Sequence, residues 1–318
     1  MKNNAIILFS SIALALALTA CPPVSDTTSD DGAVVTPVFG TPTNIAVVQS
    51  GYPNRLERTA AVYLNAARMA PLEYKAKYMS GYPMTGLLES YPAVQPVALQ
   101  YDLNRAARFH SVDITTHPGT THNSSDGTLW YTRIIDFYAG AHPTGEVLVL
   151  GSVSPLDAVN MLLYDNGKAD HSFPADSSGD GHRMLIMDAT ARQIGAGYDG
   201  FNWTIDFVSD APASLPPIVT ACHDFLDSST ITFLLNYYDA SDAGPKKISC
   251  FVDGVEQALT LDIGTAARGT YKVTMQKSST TRAYYFMALD NADVTWRYPG
   301  PGAFMTVGEG PGTTDYVP

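Results

Sequence analysis

The sequence predicts an α+β protein in which a mixed helical and β region precedes an all-β region. Between residues 54 and 167, apolar residues recur at helical spacing in three segments. Strand-like alternation fills 193–208, and short runs of aromatic and β-branched residues follow residue 230. At 318 residues the chain exceeds the usual size of one domain. We therefore predict two folded regions, 51–210 and 218–318, joined by a Pro-rich linker at 211–217.

The first predicted helix begins at Asn54. Asn54 and Glu57 have the spacing of a capping box, in which each side chain binds the backbone N–H of the other residue. Apolar residues then recur at helical spacing until Pro71, at Leu56, Ala60, Tyr63, Leu64 and Ala67. This pattern indicates an amphipathic helix.

The second predicted helix carries a histidine on its apolar stripe. The stripe comprises Leu99, Leu103, Ala106, Ala107, His110 and Ile114. Its position favours a core histidine that is hydrogen-bonded to the backbone, with a ligand role as the alternative.

The third predicted helix has a clear start and end. Ser154 is a suitable N-cap, Pro155 suits the first helical position, and Asn166-Gly167 ends the segment. Asp165 lies in the last turn, where a carboxylate opposes the helix dipole. It is either a solvated side chain or the partner of a nearby cation.

Strand patterns complete the first region. Val147–Leu150 is an apolar run that indicates a strand or a buried segment, and Ile194–Tyr198 and Trp203–Phe207 alternate as a hairpin that turns between them. The glycines at 195 and 197 allow another backbone to pass close to the sheet.

The N-terminus has the pattern of an exported lipoprotein. Lys2 precedes the apolar run Ala5–Leu18, and Leu18-Thr19-Ala20-Cys21 resembles a bacterial lipobox. We predict a lipoprotein signal peptide at 1–20, a lipid on Cys21 and a flexible, Pro- and Thr-rich tether at 21–50. The partner would then be a lipid bilayer, and the folded part would be extracytoplasmic, at a bacterial cell envelope or surface. An ordinary signal peptide followed by a chance cysteine is the alternative.

Charge and motifs exclude several functions. The formal net charge is −12, and no stripe of Lys and Arg with interleaved aromatics occurs, so we expect no nucleic-acid partner. The sequence also lacks a Gly-x-Ser-x-Gly elbow, a His-Glu-x-x-His motif, a phosphate loop and a dinucleotide fingerprint.

Two cysteines remain after Cys21. Cys222 and Cys250 form an even pair in a predicted oxidising compartment, which predicts a disulfide. Such a bridge would stabilise the fold by about 3–4 kcal/mol. Two buried free thiols are the alternative.

Five motifs in the first region resemble, in order, those of the CAP superfamily, which includes cysteine-rich secretory proteins, antigen 5 and plant pathogenesis-related proteins. These motifs are Pro96–Asp113, Thr121–Gly127, Gly145–Glu146, Asp157–Met161 and Gly181–Arg183. The resemblance covers roughly 54–208 and implies an α-β-α sandwich. Val147 and Leu185 stand where the family usually has Asn.

The resemblance implies a cleft in which two histidines and two acidic residues converge, here His122, Glu146, Asp165 and His182. Imidazoles and carboxylates are suitable ligands for Zn²⁺ or a similar divalent cation. Without a metal, Glu146 could raise the pKa of His182 and form an acid/base pair, with His122 as a further catalytic candidate. A purely structural polar cluster is the third interpretation.

A second cation pattern precedes His182. Residues 176–181 match the opening of a calcium loop, with oxygen-bearing side chains at alternate positions and Gly181 at the sixth. Met187 occupies the twelfth position, where a bidentate Glu is expected, so the pattern favours a plain polar loop over a Ca²⁺ site.

The second region is predicted to be an antiparallel β-sandwich. Tyr284–Asp290, Pro299-Gly300 and Thr306 resemble repeats of bacterial immunoglobulin-like domains, which usually act as spacers or adhesive modules.

The sequence is compatible with two functions. The first is a tethered binding module for a divalent cation or small ligand, with an unknown extracellular or envelope partner. The second is a metal-assisted hydrolase that acts on envelope or extracellular polymers. The sequence leaves open whether the protein is an enzyme.

Overall fold

The computed structural model describes residues 37–44, 53–83, 88–152, 154–168, 179–300, 304–307 and 316–317. All of these belong to one compact unit, Pro37–Pro318. The predicted signal peptide, Cys21, most of the tether and residues 176–178 of the calcium-like loop lie outside them. Within the described part of the chain, no helix has the length and apolar character needed to cross a bilayer.

Six α-helices and one 3₁₀ turn occur in the described residues. The helices are α1 Arg55–Met69, α2 Pro71–Tyr78, α3 Tyr101–Thr116, α4 Trp130–Phe137, α5 Pro155–Tyr164 and α6 Gly181–Ile186, and the 3₁₀ turn is Asp165–Gly167.

Fifteen strands form three sheets among the same residues. They are β1 Pro42–Asn44, β2 Ala98–Leu99, β3 Pro143–Leu150, β4 Gln193–Asp199, β5 Asn202–Val208, β6 Ile218–Asp224, β7 Thr230–Tyr238, β8 Lys247–Val252, β9 Val255–Ala258, β10 Thr260–Gly264, β11 Arg268–Gln276, β12 Arg282–Leu289, β13 Thr295–Tyr298, β14 Phe304–Val307 and β15 Tyr316–Val317.

The first region is built around a sheet with the strand order β2-β4-β5-β3, which we call the N-terminal sheet. Trp203, Ile205 and Phe207 of β5 share one core with α1 and α5. Helix α3 packs on the opposite face, against β4 and β5. The layers are therefore helix, sheet and helix, as predicted for an α+β fold.

Close backbone packing sets the distance between α3 and the sheet. A Cβ atom at Gly195 would lie 2.1 Å from the carbonyl carbon of Leu103, and one at Gly197 would lie 2.2 Å from that of Ala107. Any larger residue would push the helix off the sheet. The sequence-based prediction for these glycines is confirmed.

The predicted helix caps are also confirmed. The Glu57 N–H donates to Asn54 Oδ1 at 3.0 Å, and the Asn54 N–H donates to Glu57 Oε2 at 2.8 Å. Ser154 caps α5, with Pro155 at its first position.

The second region consists of two sheets with a common core. One has the order β10-β11-β7-β6, and the other contains β8, β9 and β12–β15 together with β1 from the N-terminal side. The aromatic and β-branched runs that follow residue 230 lie within strands β7, β8 and β11–β14. The short polar strands β9 and β10 were not anticipated, because their side chains are mostly exposed and do not alternate.

The two regions meet through α1, α2 and the β6 sheet. Tyr63 Oη donates to Asp224 Oδ2 at 2.9 Å, and both Lys77 and Lys272 lie 2.6 Å from the buried carboxylate of Asp262. The predicted boundaries 51–210, 211–217 and 218–318 stay predictions, but the halves share a contact surface that is both polar and apolar.

The predicted disulfide is not formed. Cys222 and Cys250 are both buried free thiols. Cys222 packs in the core that contains α1, whereas Cys250 packs in the core between the two C-terminal sheets. Ala221, the neighbour of Cys222, faces that second core, so strand alternation turns Cys222 away from Cys250.

Both thiols should therefore be unreactive until the chain unfolds. Burial raises the pKa of Cys222 to about 12, and the thiolate is the reactive form. In a Cys21→Ser chain, we expect two thiols to react with dithionitrobenzoate after denaturation without reductant, and neither to react quickly before it. Absence of reactive thiols in the denatured, unreduced chain would contradict the structure.

Candidate functional site

An open cavity of about 370 Å³ lies beside the N-terminal sheet. Its lining residues are His122, Trp130, Thr144, Gly145, Glu146 and Leu185. They come from the loop between α3 and α4, the start of α4, the first half of β3 and α6. The cavity therefore combines one ionisable pair with apolar walls.

His122 and Glu146 form the first histidine–carboxylate pair. His122 Nδ1 lies 2.9 Å from Glu146 Oε1. The imidazole is 48% exposed, whereas the carboxylate is buried on β3. Burial and the charge of Arg133 both lower the pKa of His122, so the ring is neutral at neutral pH.

Glu146 has two further neighbours that the sequence did not predict. The Arg133 guanidinium donates to Glu146 Oε2, and its Nη1 also donates to Ser124 Oγ at 2.9 Å. Asp206 stands directly opposite Glu146 in the register of β3 and β5. One arginine thus faces two neighbouring buried carboxyl groups.

The two carboxyl groups titrate as a pair. Burial raises the pKa of Glu146 to about 7, opposed by Arg133. Burial, and then the charge of Glu146, raise the pKa of Asp206 well above its usual range. A proton therefore remains on the pair at neutral pH, and Arg133 compensates the charge that is left.

The sequence indicates one of the two neighbours of Glu146, Asp206, but not Arg133. Asp206 interrupts the apolar strand at a position that faces the α3 side, where a charge needs a partner. Arg133 gave no such signal, because α4 is short and we did not predict it as a helix.

His110 is the core histidine that its position predicted. It is fully buried, and its Nε2 donates to the Thr121 carbonyl at 2.7 Å. Burial, followed by the charge of Arg133, lowers its pKa to about 4. The ring supports the loop that carries His122 and does not reach the cavity lining.

Asp165 and His182 form the second pair. Asp165 ends α5 in a left-handed conformation (φ 45°), and its side chain turns to the start of α6. Its two oxygens accept from the His182 N–H at 2.9 Å and from His182 Nδ1 at 2.8 Å. Asp165 is only 5% exposed, so the solvated alternative for it is wrong.

The structure groups the four predicted site residues as two pairs. His182 lies one helical turn before Leu185, which lines the same cavity as His122. Among the described residues, no three His, Cys, Asp or Glu side chains form a group able to hold a metal ion. A centre with four protein ligands is therefore not assembled.

The chemistry of each pair still fits a cation held by imidazole. Metal-binding histidines usually donate one ring N–H to a carboxylate, which leaves the other nitrogen for the metal. Glu146 and Asp165 each occupy Nδ1, and no described residue hydrogen-bonds to either Nε2. Glu146 and Asp165 are thus positioned to orient the imidazoles, and His122 and His182 are the available ligands.

Replacement of Arg133 should be costly and pH-dependent. Arg133→Met leaves Glu146 and Asp206 buried without a cation, which costs about 3–5 kcal/mol of the free energy of unfolding. Removing the guanidinium raises both carboxyl pKa values further, so the loss should be larger at pH 8 than at pH 5, where both groups carry protons. Urea unfolding at the two pH values measures this.

Arg133→Lys is the control because it keeps the charge, and it should restore part of the stability. An equal loss at both pH values would contradict the shared charge of this cluster.

A family comparison matches most of the first region. Residues 63–204 match the sequence model of the Cysteine-rich secretory protein family, CAP. This span contains α1 from Tyr63 onward, both histidine–carboxylate pairs and the cavity. A comparison with curated proteins finds no significant match.

Two solved structures are similar over less than half of the chain. One is an extracellular protein containing an SCP domain from Bacillus anthracis, with 16% identity, a TM-score of 0.30 and coverage of 45% of this chain and 40% of that one. The other is a cysteine-rich secretory protein from Staphylococcus aureus, with 13% identity, a TM-score of 0.28 and coverage of 44% and 39%.

This chain thus spans about two fifths of the length of either solved protein. Three observations point to the same family: the helix–sheet–helix layers around the N-terminal sheet, the ordered sequence motifs and the family match. The chain carries a domain of the CAP superfamily, the cysteine-rich secretory protein family, followed by a β-sandwich.

Proposed function

We propose that this chain is an extracytoplasmic protein, held at a bacterial envelope membrane by a lipid on Cys21, whose CAP domain binds a divalent cation through His122 and His182. One observation carries the cation site. Each imidazole is held at Nδ1 by a buried carboxylate, so that Nε2 remains for ligation.

The donor set favours Zn²⁺ or a similar ion over Ca²⁺. Imidazole nitrogen suits Zn²⁺, whereas Ca²⁺ takes six to eight oxygen ligands. The carboxylate oxygens of Glu146 and Asp165 already accept hydrogen bonds from protein groups. Water would complete the coordination of an ion held by two histidines.

The contacts and burial of the Glu146 carboxylate favour cation binding over hydrolysis as the function of this site. A general base needs a free oxygen within reach of the attacking water. Oε1 of Glu146 is held by His122 and Oε2 by Arg133. The Glu146 side chain is also only 1% exposed, so its carboxylate is poorly accessible to an attacking water, which favours binding over the hydrolase that the sequence left open.

The cation site predicts a specific pattern of loss in Zn²⁺ titrations. In a metal-stripped chain that begins at residue 22, we expect one Zn²⁺ per chain by calorimetry. His122→Ala and His182→Ala should each abolish this binding, and Asp165→Asn should weaken it about 10–100-fold because the imidazole is no longer oriented.

His142 provides the matched control. Its Nδ1 lies 2.7 Å from Asp210 Oδ1, in an exposed histidine–carboxylate pair that does not line the cavity. His142→Ala should leave the Zn²⁺ heat unchanged. Equal heats from the unaltered chain and the His122→Ala/His182→Ala double variant would refute the cation site.

The anchor predicts where the full-length chain fractionates. Cys21→Ser removes the thiol that a lipid would modify, so we expect the protein to move from the membrane fraction to the soluble extracytoplasmic fraction. Cys222→Ser is the control, since that thiol is buried in the fold. Retention of the Cys21→Ser chain in the membrane fraction would contradict a lipid anchor.

A further inference from the structure

Strand β3 is an outer strand of the N-terminal sheet. It pairs with β5 on one side, and it is the last strand in the order β2-β4-β5-β3. An outer strand presents every second N–H and C=O away from its sheet. The unpaired groups of β3 can be identified from the turn between β4 and β5.

Asp199 and Asn202 close a two-residue turn and are paired in register. Both residues of the turn, Gly200 and Phe201, have positive φ, as in a type I′ hairpin, whose closing pair is hydrogen-bonded. Even-numbered residues of β5 therefore bond to β4, and odd-numbered residues bond to β3. The bond from the Gly151 N–H to the Phe201 carbonyl, at 2.9 Å, agrees with this alternation.

The outward groups of β3 belong to Glu146, Leu148 and Leu150. Register pairs Gly145, Val147 and Val149 with the odd-numbered residues of β5. Within the described part of the chain, no hydrogen bond reaches the N–H or C=O of these three outward residues.

This edge lacks the usual protection against strand addition. Exposed edges normally carry charges, Pro or bulges. Here Pro143 and a bulge at Thr144 protect only the beginning of the strand. The run that follows, Val147–Leu150, is uncharged, and Leu150 is 55% exposed.

The cavity opens along the same edge. Its floor is Thr144–Glu146, its wall on the α4 side is Trp130 with His122, and its wall on the α6 side is Leu185. Leu185 fits only because Gly145 has no side chain, since a Cβ there would lie 2.3 Å from Leu185 Cδ2. Thr144 Oγ1 is buried at this floor without a hydrogen-bond partner in the described structure.

We propose that an extended peptide segment of another protein adds to β3 as a further strand of the N-terminal sheet. Its backbone pairs with Glu146, Leu148 and Leu150, and one apolar side chain enters the cavity between Trp130 and Leu185. Main-chain bonds supply affinity in such strand addition, and side-chain pockets supply specificity. The formal charge of −12 favours a peptide with basic flanking residues.

The shape of the edge argues for a single strand rather than a second copy of the chain. Trp130 and Leu185 stand on both sides of the edge at Gly145. A lone extended segment passes between them. A strand that is part of a folded sheet brings covering layers, which would meet α4 and α6.

Peptide addition does not require the cation. The added strand bonds to main-chain groups of β3, whereas the cation uses the Nε2 atoms of His122 and His182. Peptide binding should therefore persist in the metal-stripped chain and in His182→Ala, whose imidazole does not line the cavity, and its failure is separable from failure of Zn²⁺ binding.

The probe is a blocked heptapeptide, acetyl-Lys-Thr-Val-Leu-Val-Thr-Lys-amide, titrated by calorimetry into the chain that begins at residue 22. Two further peptides carry N-methyl groups on alternate residues, one set at even and one at odd positions. In an added strand, only every second backbone N–H points toward β3. The peptide methylated at those positions should bind at least about tenfold more weakly than the parent, and the peptide methylated at the other positions should bind within about twofold of it.

Leu148→Pro tests the edge from the protein side. The Leu148 N–H points away from β5, so Pro removes no bond within the sheet but blocks an added strand. Leu148→Thr keeps the N–H and is the control. We expect at least about a tenfold loss with Leu148→Pro and a change within about twofold with Leu148→Thr.

Several results would overturn the proposal. These are no binding of the parent peptide at about 1 mM, equal binding of both methylated peptides, or a dimer of the unaltered chain that Leu148→Pro makes monomeric. If Leu148→Pro does not fold, the two methylated peptides on the unaltered chain decide the question.

Discussion

The candidate site depends on the interaction of the buried Arg133 guanidinium with two carboxyl groups, those of Glu146 and Asp206. It binds Glu146 on β3, lies beside Asp206 on β5 and holds Ser124 and the His122 carbonyl in the loop before α4. Two adjacent buried carboxyl groups are tolerable only with a shared proton and a nearby cation. This charge arrangement fixes the floor of the cavity and the loop that carries the exposed imidazole.

Local signals in the sequence were sufficient for much of the fold. The capping box at Asn54, the Ser154-Pro155 start of α5 and the glycines at 195 and 197 each act within one element or one contact, and the structure confirms them. The predicted Cys222–Cys250 disulfide was wrong because the two side chains pack in different cores. The number of cysteines and the predicted compartment do not indicate which core a strand residue faces.

The candidate site was predictable in its residue types and less so in its arrangement. We predicted His122, Glu146, Asp165 and His182 as ligands of one cation, with an acid/base pair of Glu146 and His182 as the alternative. In the structure, each carboxylate holds an imidazole. Hydrogen bonds of this kind depend on the left-handed end of α5 and on Arg133. Neither has a periodic signature, because both arise from contacts between distant segments.

The bonds of Asp165 have a consequence for how this domain can vary. Asp165 holds the first turn of α6, while Arg183 donates to the carbonyls of Leu163 and Tyr164 at the end of α5. The two helices are thereby fastened directly to each other. The chain between them can lengthen or shorten during evolution without moving His182, so loop variation there is uncoupled from the geometry of the imidazole.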